Sequence, residues 1–251
     1  MSMNRSTTLQ SLALHSSAAS QPRQKQDLIQ RSEALLKLQH PELAPLDVVH
    51  ESSGTRLIAH PVVGPTLHDL LQWRRETPYG LSEVLELLAP LCDALEYMHT
   101  QNIAHGNLHP NVIVQTAHRL VLTGFAGVAP LGPVGYRAPE HTTASPSGDV
   151  YALAIIVYEL LTGDLPSSGI GSALLPPGVD RVLARALASQ PHQRYHSPKA
   201  FLQALAATQY IVDVEQQDDI SFAERYGYAL VILLLTIISG VFMGLLIGQL
   251  V

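Results

Sequence analysis

Residues Tyr226 to Val251 form a stretch of 26 without one charged side chain, and no other feature restricts the chain as strongly. As a helix at about 1.5 Å per residue the stretch reaches ~39 Å, more than the ~30 Å hydrocarbon core of a bilayer, so it can span with some tilt. Tyr226 and Tyr228 suit one membrane interface. Gly240, Gly244 and Gly248 recur every fourth residue, which puts them on one helix face where two backbones can approach closely. The sequence predicts a single-pass anchor at the C-terminal end, with a homo-oligomer or docking on another membrane protein through these glycines. Met1 to Gln26 is rich in Ser, Gln and Ala, and its apolar Leu12 to Leu14 is too short for a signal-peptide core.

The remainder is the material of one folded domain. Hydrophobic residues make up 47% of the chain and charged ones 14%, enough for a sizeable core and incompatible with a wholly disordered chain. The net charge of −6 argues against a nucleic-acid partner. A single cysteine, Cys92, has no internal partner, which fits a reducing compartment. Composition divides the chain into a flexible tail (1–26), a folded domain (27–210), an acidic linker (211–225) with five acids against Arg225, and the apolar segment (226–251). Apolar spacing predicts helices at Asp27–Gln39, Ser82–Thr100, Asp149–Leu161, Val179–Ala188 and Pro198–Thr208. Short strands are expected at Leu57–Ala59, Val112–Gln115 and Arg119–Leu122, the last two as a hairpin.

One series of segments says more. His105-Gly106-Asn107-Leu108-His109-Pro110-Asn111-Val112-Ile113 follows a helix ending in Tyr97-Met98-His99. A strand then runs into Thr123-Gly124-Phe125-Ala126, and Tyr136-Arg137-Ala138-Pro139-Glu140 comes next. Asp149-Val150-Tyr151-Ala152-Leu153-Ala154, Tyr158-Glu159-Leu160-Leu161-Thr162-Gly163 and Pro191-His192-Gln193-Arg194-Tyr195 complete the series. In this order they resemble the protein-kinase catalytic loop H-R-D-L-K-P-x-N, the D-F-G step, the Y-x-A-P-E segment, the buried helix of the large lobe and the late P-x-x-R-Y segment. Upstream, Leu57 to Gly64 is similar to the fifth strand and hinge, and Ala34 to Pro41 to the end of the αC helix. The resemblance covers Asp27 to Gln209 and is closest to bacterial serine/threonine kinases. It implies an α+β, protein-kinase-like fold, mainly the helical large lobe with a truncated small lobe, to which the transmembrane helix is added.

The same register shows what chemistry has been given up. Phosphoryl transfer on this fold needs a Gly-rich turn over the phosphates, a lysine paired with the αC glutamate, and an aspartate and an asparagine holding magnesium. Neither a G-x-G-x-x-G nor a V-A-I-K-like segment precedes residue 27, so the first three strands are expected to be absent. Counting back from His40-Pro41 puts Arg31 at the αC glutamate position, with Glu33 two residues out of register. Asn107 stands for the base aspartate, His109 for the phosphate-facing lysine, Val112 for the metal-binding asparagine and Gly124 for the D-F-G aspartate. An amide is a poor proton acceptor, and magnesium needs hard oxygen ligands. The H-R-D arginine is Gly106, and Phe125 to Tyr136 holds no Ser or Thr, so both halves of a phosphorylation switch are missing.

His105, Phe125, Glu140, Asp149 and Arg194 are kept. The resemblance gives them architectural roles, Asp149 accepting from the catalytic-loop backbone and Glu140 pairing with Arg194. His99, His105 and His109 are joined by no carboxylate in this register, so no metal is expected. No cofactor is expected either: ATP and magnesium have lost their cradle, although the His60 carbonyl and Val62 amide remain at the hinge. The expectation is a catalytically inactive, membrane-anchored pseudokinase with its domain facing the cytoplasm. It would act as a scaffold or adaptor through protein partners at the truncated small-lobe groove. The alternative belongs to another class, a divergent serine/threonine kinase or an ATP-binding regulatory switch.

Overall fold

The computed structural model describes residues 11–12, 31–51, 54–125, 132–140, 143–166, 175–209 and seven helical positions between 227 and 238, with backbone alone at 11–12 and 48–58. Residues 1–206 form one compact unit and 207–251 a second.

The core of the first unit is built on two helices whose sequences differ in kind. In α3 (Leu81–Thr100) the residues Val84, Leu88, Leu91, Leu95 and Met98 recur at steps of four and three and are all fully buried, the stripe that turns one face of a helix inward. Glu83 closes its first turn, accepting from the Gly80 amide at 2.8 Å. In α4 (Pro146–Thr162) nearly every residue from Asp149 to Leu160 is buried, so this helix runs through the interior with apolar side chains on all sides. Ser145 caps it, its hydroxyl accepting from the Gly148 amide, and Pro146 occupies the first turn where no amide partner is lost. Around this pair lie a helix at 31–36 (α1), α2 (Leu67–Trp73), α5 (Pro177–Ala186) and a helix at 198–209 (α6).

Two small antiparallel sheets complete the unit. β4 (Ile113–Gln115) and β5 (Leu120–Leu122) form the expected hairpin, with Ile113 opposite Leu122 and Gln115 opposite Leu120. The other sheet has the order β1-β3-β2, from β1 (Ser11–Leu12), β2 (Leu46–Glu51) and β3 (Gly54–Ala59). The chain leaving β3 is fastened to the hairpin, because the Gln115 amide donates to Pro65 O at 2.8 Å. Gly64 is required there: a Cβ would stand 1.9 Å from the Gln115 carbonyl oxygen.

The structure corrects the sequence reading ahead of residue 27. A strand is present at Ser11–Leu12, pairing with Leu57 and Ile58, so the first three strands are not all missing. Two residues carry no period of their own, and only the free edge of β3 makes them a strand. β2 and α2 were also not anticipated. α2 is only seven residues long, and a capping box between Thr66 and Asp69 starts it. Among the described residues no helix is long and apolar enough to cross a membrane. Most of the segment 226–251, with Gly240, Gly244 and Gly248, lies outside the described residues.

The late arginine closes the large lobe. The Arg194 side chain is fully buried and takes both carboxylate oxygens of Glu140 at 2.6 Å. Its remaining donors reach the carbonyls of Ala188, Ser147 and Ser189 at 2.8, 3.0 and 3.3 Å, so all five N–H groups are used. Glu140→Ala leaves that guanidinium buried without its counter-charge. The expected loss is about 3 kcal/mol of unfolding free energy, read by urea denaturation.

Candidate functional site

The segment after α3 is shaped by a single carboxylate. Asp149, in the first turn of α4 and 1% exposed, accepts from the His105 amide at 2.7 Å and the Gly106 amide at 2.8 Å. Its Oδ2 also meets His99 Nε2 at 2.8 Å. This is the role the resemblance implied for Asp149, extended by one histidine. His105 is fully buried, donates from Nε2 to Thr123 O at 2.9 Å, accepts from the Asn107 amide, and lies against the Phe125 ring at 5.3 Å. Burial pushes the His105 imidazole below its ordinary range, against the opposing pull of Asp149.

Among the positions expected to have lost chemistry, Asn107 is tied directly to the backbone. Asn107 donates its side-chain amide to the Gly124 carbonyl at 2.7 Å, bridging the base position and the metal-ligand position. Its Oδ1 is buried without a partner, and a Cβ on Gly132 would stand only 3.1 Å from it. Gly106 and Gly124 have φ of +74° and +68°, a conformation that costs glycine nothing and strains most other residues. The Val112 side chain is fully buried, and its carbonyl accepts from both the amide and the hydroxyl of Thr123. His109 is 9% exposed beside the Tyr136 ring, its Nδ1 buried and unpartnered.

The cavity beside the loop, lined by Gly106, Asn107, Gly132, Arg137 and Asp149 among others, holds about 40 Å³, space for roughly three waters. Tyr136 donates to Glu159, whose carboxyl burial pushes above the usual range. At the hinge, the His60 ring meets Asp47 at 2.6 Å and the His60 amide donates to Pro45 O, while Val62 packs partly on the core. Among the described residues no group of three or more His, Cys, Asp or Glu could hold a metal ion.

Sequence reasoning missed two participants. Arg31 reaches the Ala104 carbonyl at 2.6 Å, a contact that register alone does not reveal. The strand at Ser11–Leu12 opens the apolar triplet Leu12-Ala13-Leu14. The apolar triplet was the available signal.

Comparison with known proteins agrees with this geometry. The family profile described as protein kinase domain matches residues 3–176, a span that includes the strand at Ser11–Leu12. The serine/threonine-protein kinase Pkn1 of Myxococcus xanthus is 31% identical over 169 residues, 51% of this chain and 24% of its own length. PknA of Mycobacterium tuberculosis is 27% identical over 208 residues, 68% of this chain and 48% of its own. The crystal structure of the M. tuberculosis PknI kinase domain superposes with a TM-score of 0.60 at 25% identity, covering 73% of this chain and 78% of that one. The chain spans between about a quarter and a half of the length of these curated relatives.

Burial holds the His109 imidazole down at about 4, helped by the nearby His105 and His68. An unfolded histidine binds its proton near pH 6.5, so between pH 6.5 and 4 the unfolded chain binds more protons and stability falls as pH drops. His109→Gln should flatten this acid limb without removing it, since His105 contributes in the same sense. Unfolding free energy measured from pH 7 to 4 checks this.

Proposed function

The chain belongs to the protein-kinase domain family, and from that premise we propose that it is a catalytically inactive, membrane-anchored member that acts as a scaffold or adaptor through protein contacts. The observation that carries the reading is the bond from the Asn107 side-chain amide to the Gly124 carbonyl. The base position is occupied by a donor, and that donor is spent on the backbone of the position that would hold magnesium. Asn107 Oδ1 is buried, out of reach of an incoming hydroxyl. Val112, in the place of the metal-binding asparagine, offers no ligand.

The anchor is supported by the described part of the second unit. Val231, Ile232, Leu234, Leu235, Ile237 and Ile238 are helical and each between 55% and 62% exposed. At 100° per residue these side chains cover most of the helix circumference. A helix apolar around its girth finds its solvent in lipid. The charge-free sequence from Tyr226 onward provides the length, and the domain faces the cytoplasm. On the first unit Val63, Trp73 and Val134 are 81%, 71% and 80% exposed, large apolar side chains available to a protein partner. Self-association through Gly240, Gly244 and Gly248 is part of the same reading.

Thermal unfolding of the full-length chain in detergent micelles, with and without millimolar ATP and magnesium, tests the inactive assignment. Bound ligand would stabilise by about 2.7 kcal/mol at a hundred times its dissociation constant. No shift is expected. A magnesium-dependent shift would replace this reading with an ATP-binding switch or a divergent kinase. The anchor is tested separately: the full chain should sediment with phospholipid vesicles and resist extraction by alkaline carbonate, and a chain ending at Arg225 should remain in the supernatant.

A further inference from the structure

Arg31 stands where the kinase-like register expects a glutamate, at the first described position of α1. Its guanidinium crosses to the large lobe, Nη2 donating to the Ala104 carbonyl at 2.6 Å, 73 positions away in the chain. Ala104 is 3% exposed and immediately precedes His105. The bond therefore lands on the catalytic loop just ahead of the two amides that Asp149 collects. Burial pushes the Arg31 guanidinium below its usual range, and the Asp149 carboxylate pushes it back. A charged donor in such surroundings makes a stronger bond than a neutral pair.

The other end of α1 is held by different means. Leu35 is 2% exposed in the core. The Gln39 amide donates to the Tyr97 hydroxyl at 3.2 Å, and the His40 ring stacks on Tyr97 with centroids 5.4 Å apart. Beyond it, the Leu122 amide donates to Glu42 O at 2.7 Å and the Ala44 amide to Leu122 O at 2.9 Å. One end of the helix is thus sewn to α3 and β5, while the Arg31 end reaches the large lobe through a side chain.

We propose that Arg31 is a latch that fastens this end of α1 to the catalytic loop, so that the small-lobe helix is held against the large lobe by the protein itself, without nucleotide and without a lysine–glutamate pair. The device stands whether or not nucleotide binds. Its sign suits the Ala104 carbonyl oxygen it bonds and the field of the Asp149 carboxylate. A glutamate at position 31 would turn both interactions repulsive, so the residue that the family pattern calls for is disfavoured here. Lysine keeps the charge but loses the planar fork.

Hydrogen exchange by mass spectrometry on the full-length chain in detergent micelles reads the latch locally. In Arg31→Ala, exchange should accelerate about tenfold or more over 31–36 and 103–107, the scale of one charged hydrogen bond. Residues 40–44 and helices α5 and α6 should keep their protection. Arg31→Glu should accelerate the same segments further and Arg31→Lys less. Unchanged exchange over 31–36 in the alanine variant overturns the proposal, as does acceleration spread evenly over the whole domain, which would mark Arg31 as general packing. Should the glutamate variant fail to fold, alanine and lysine variants that behave alike would also overturn it.

Discussion

The large lobe depends on the carboxylate of Asp149. It is buried at the start of an interior helix, where an unpaired charge would cost several kcal/mol. The structure meets that cost by turning two consecutive backbone amides of the loop and one histidine toward it. With His105 and Gly106 fixed, the His105 ring falls where it bonds Thr123 O and leans on Phe125, which sets the exit of β5. The loop between α3 and β4 holds its shape because one acceptor orders it. Nothing in that arrangement requires an aspartate at 107 or an arginine at 106.

This separation lets the fold persist without depending on the residues that the family uses for chemistry. Four of the altered positions hold residues that answer a local structural need. Asn107 supplies a donor to a backbone carbonyl, Val112 fills core volume, and Gly106 and Gly124 adopt left-handed φ without strain. The retained positions, Asp149, His105, Phe125, Glu140 and Arg194, are those whose loss would leave a charge or a cavity inside the lobe. Arg194 uses all five donors among three carbonyls and Glu140, so neither partner of that pair can be replaced alone at low cost.

What the sequence revealed and what it hid divide along the same line. The long helices α3 and α4, the β4–β5 hairpin and the roles of Asp149 and the Glu140–Arg194 pair were legible, because each rests on a period or an ordered series of segments. The strand at Ser11–Leu12 was not, since pairing with Leu57 and Ile58 comes from the sheet and not from two residues. α2 was too short for its buried pair Leu67 and Leu71 to register as periodic. The acceptance of His99 by Asp149 and of Arg31 by Ala104 spans 50 and 73 positions. Contacts of that range are set by how elements pack and leave no mark in local patterning.

At position 31 the charge is the reverse of the one that the family pattern calls for. A glutamate on this helix is neutralised in the family pattern by the strand lysine, and no V-A-I-K-like segment precedes residue 27 here. Without the lysine, a carboxylate at 31 would sit in the field of Asp149 with no cation to offset it, two like charges in partly desolvated surroundings. An arginine removes the repulsion and converts it to attraction, and its length lets it bond the carbonyl just ahead of the loop that Asp149 organises. The arginine holds the helix to the large lobe through the opposite sign of charge from the one the family pattern uses there.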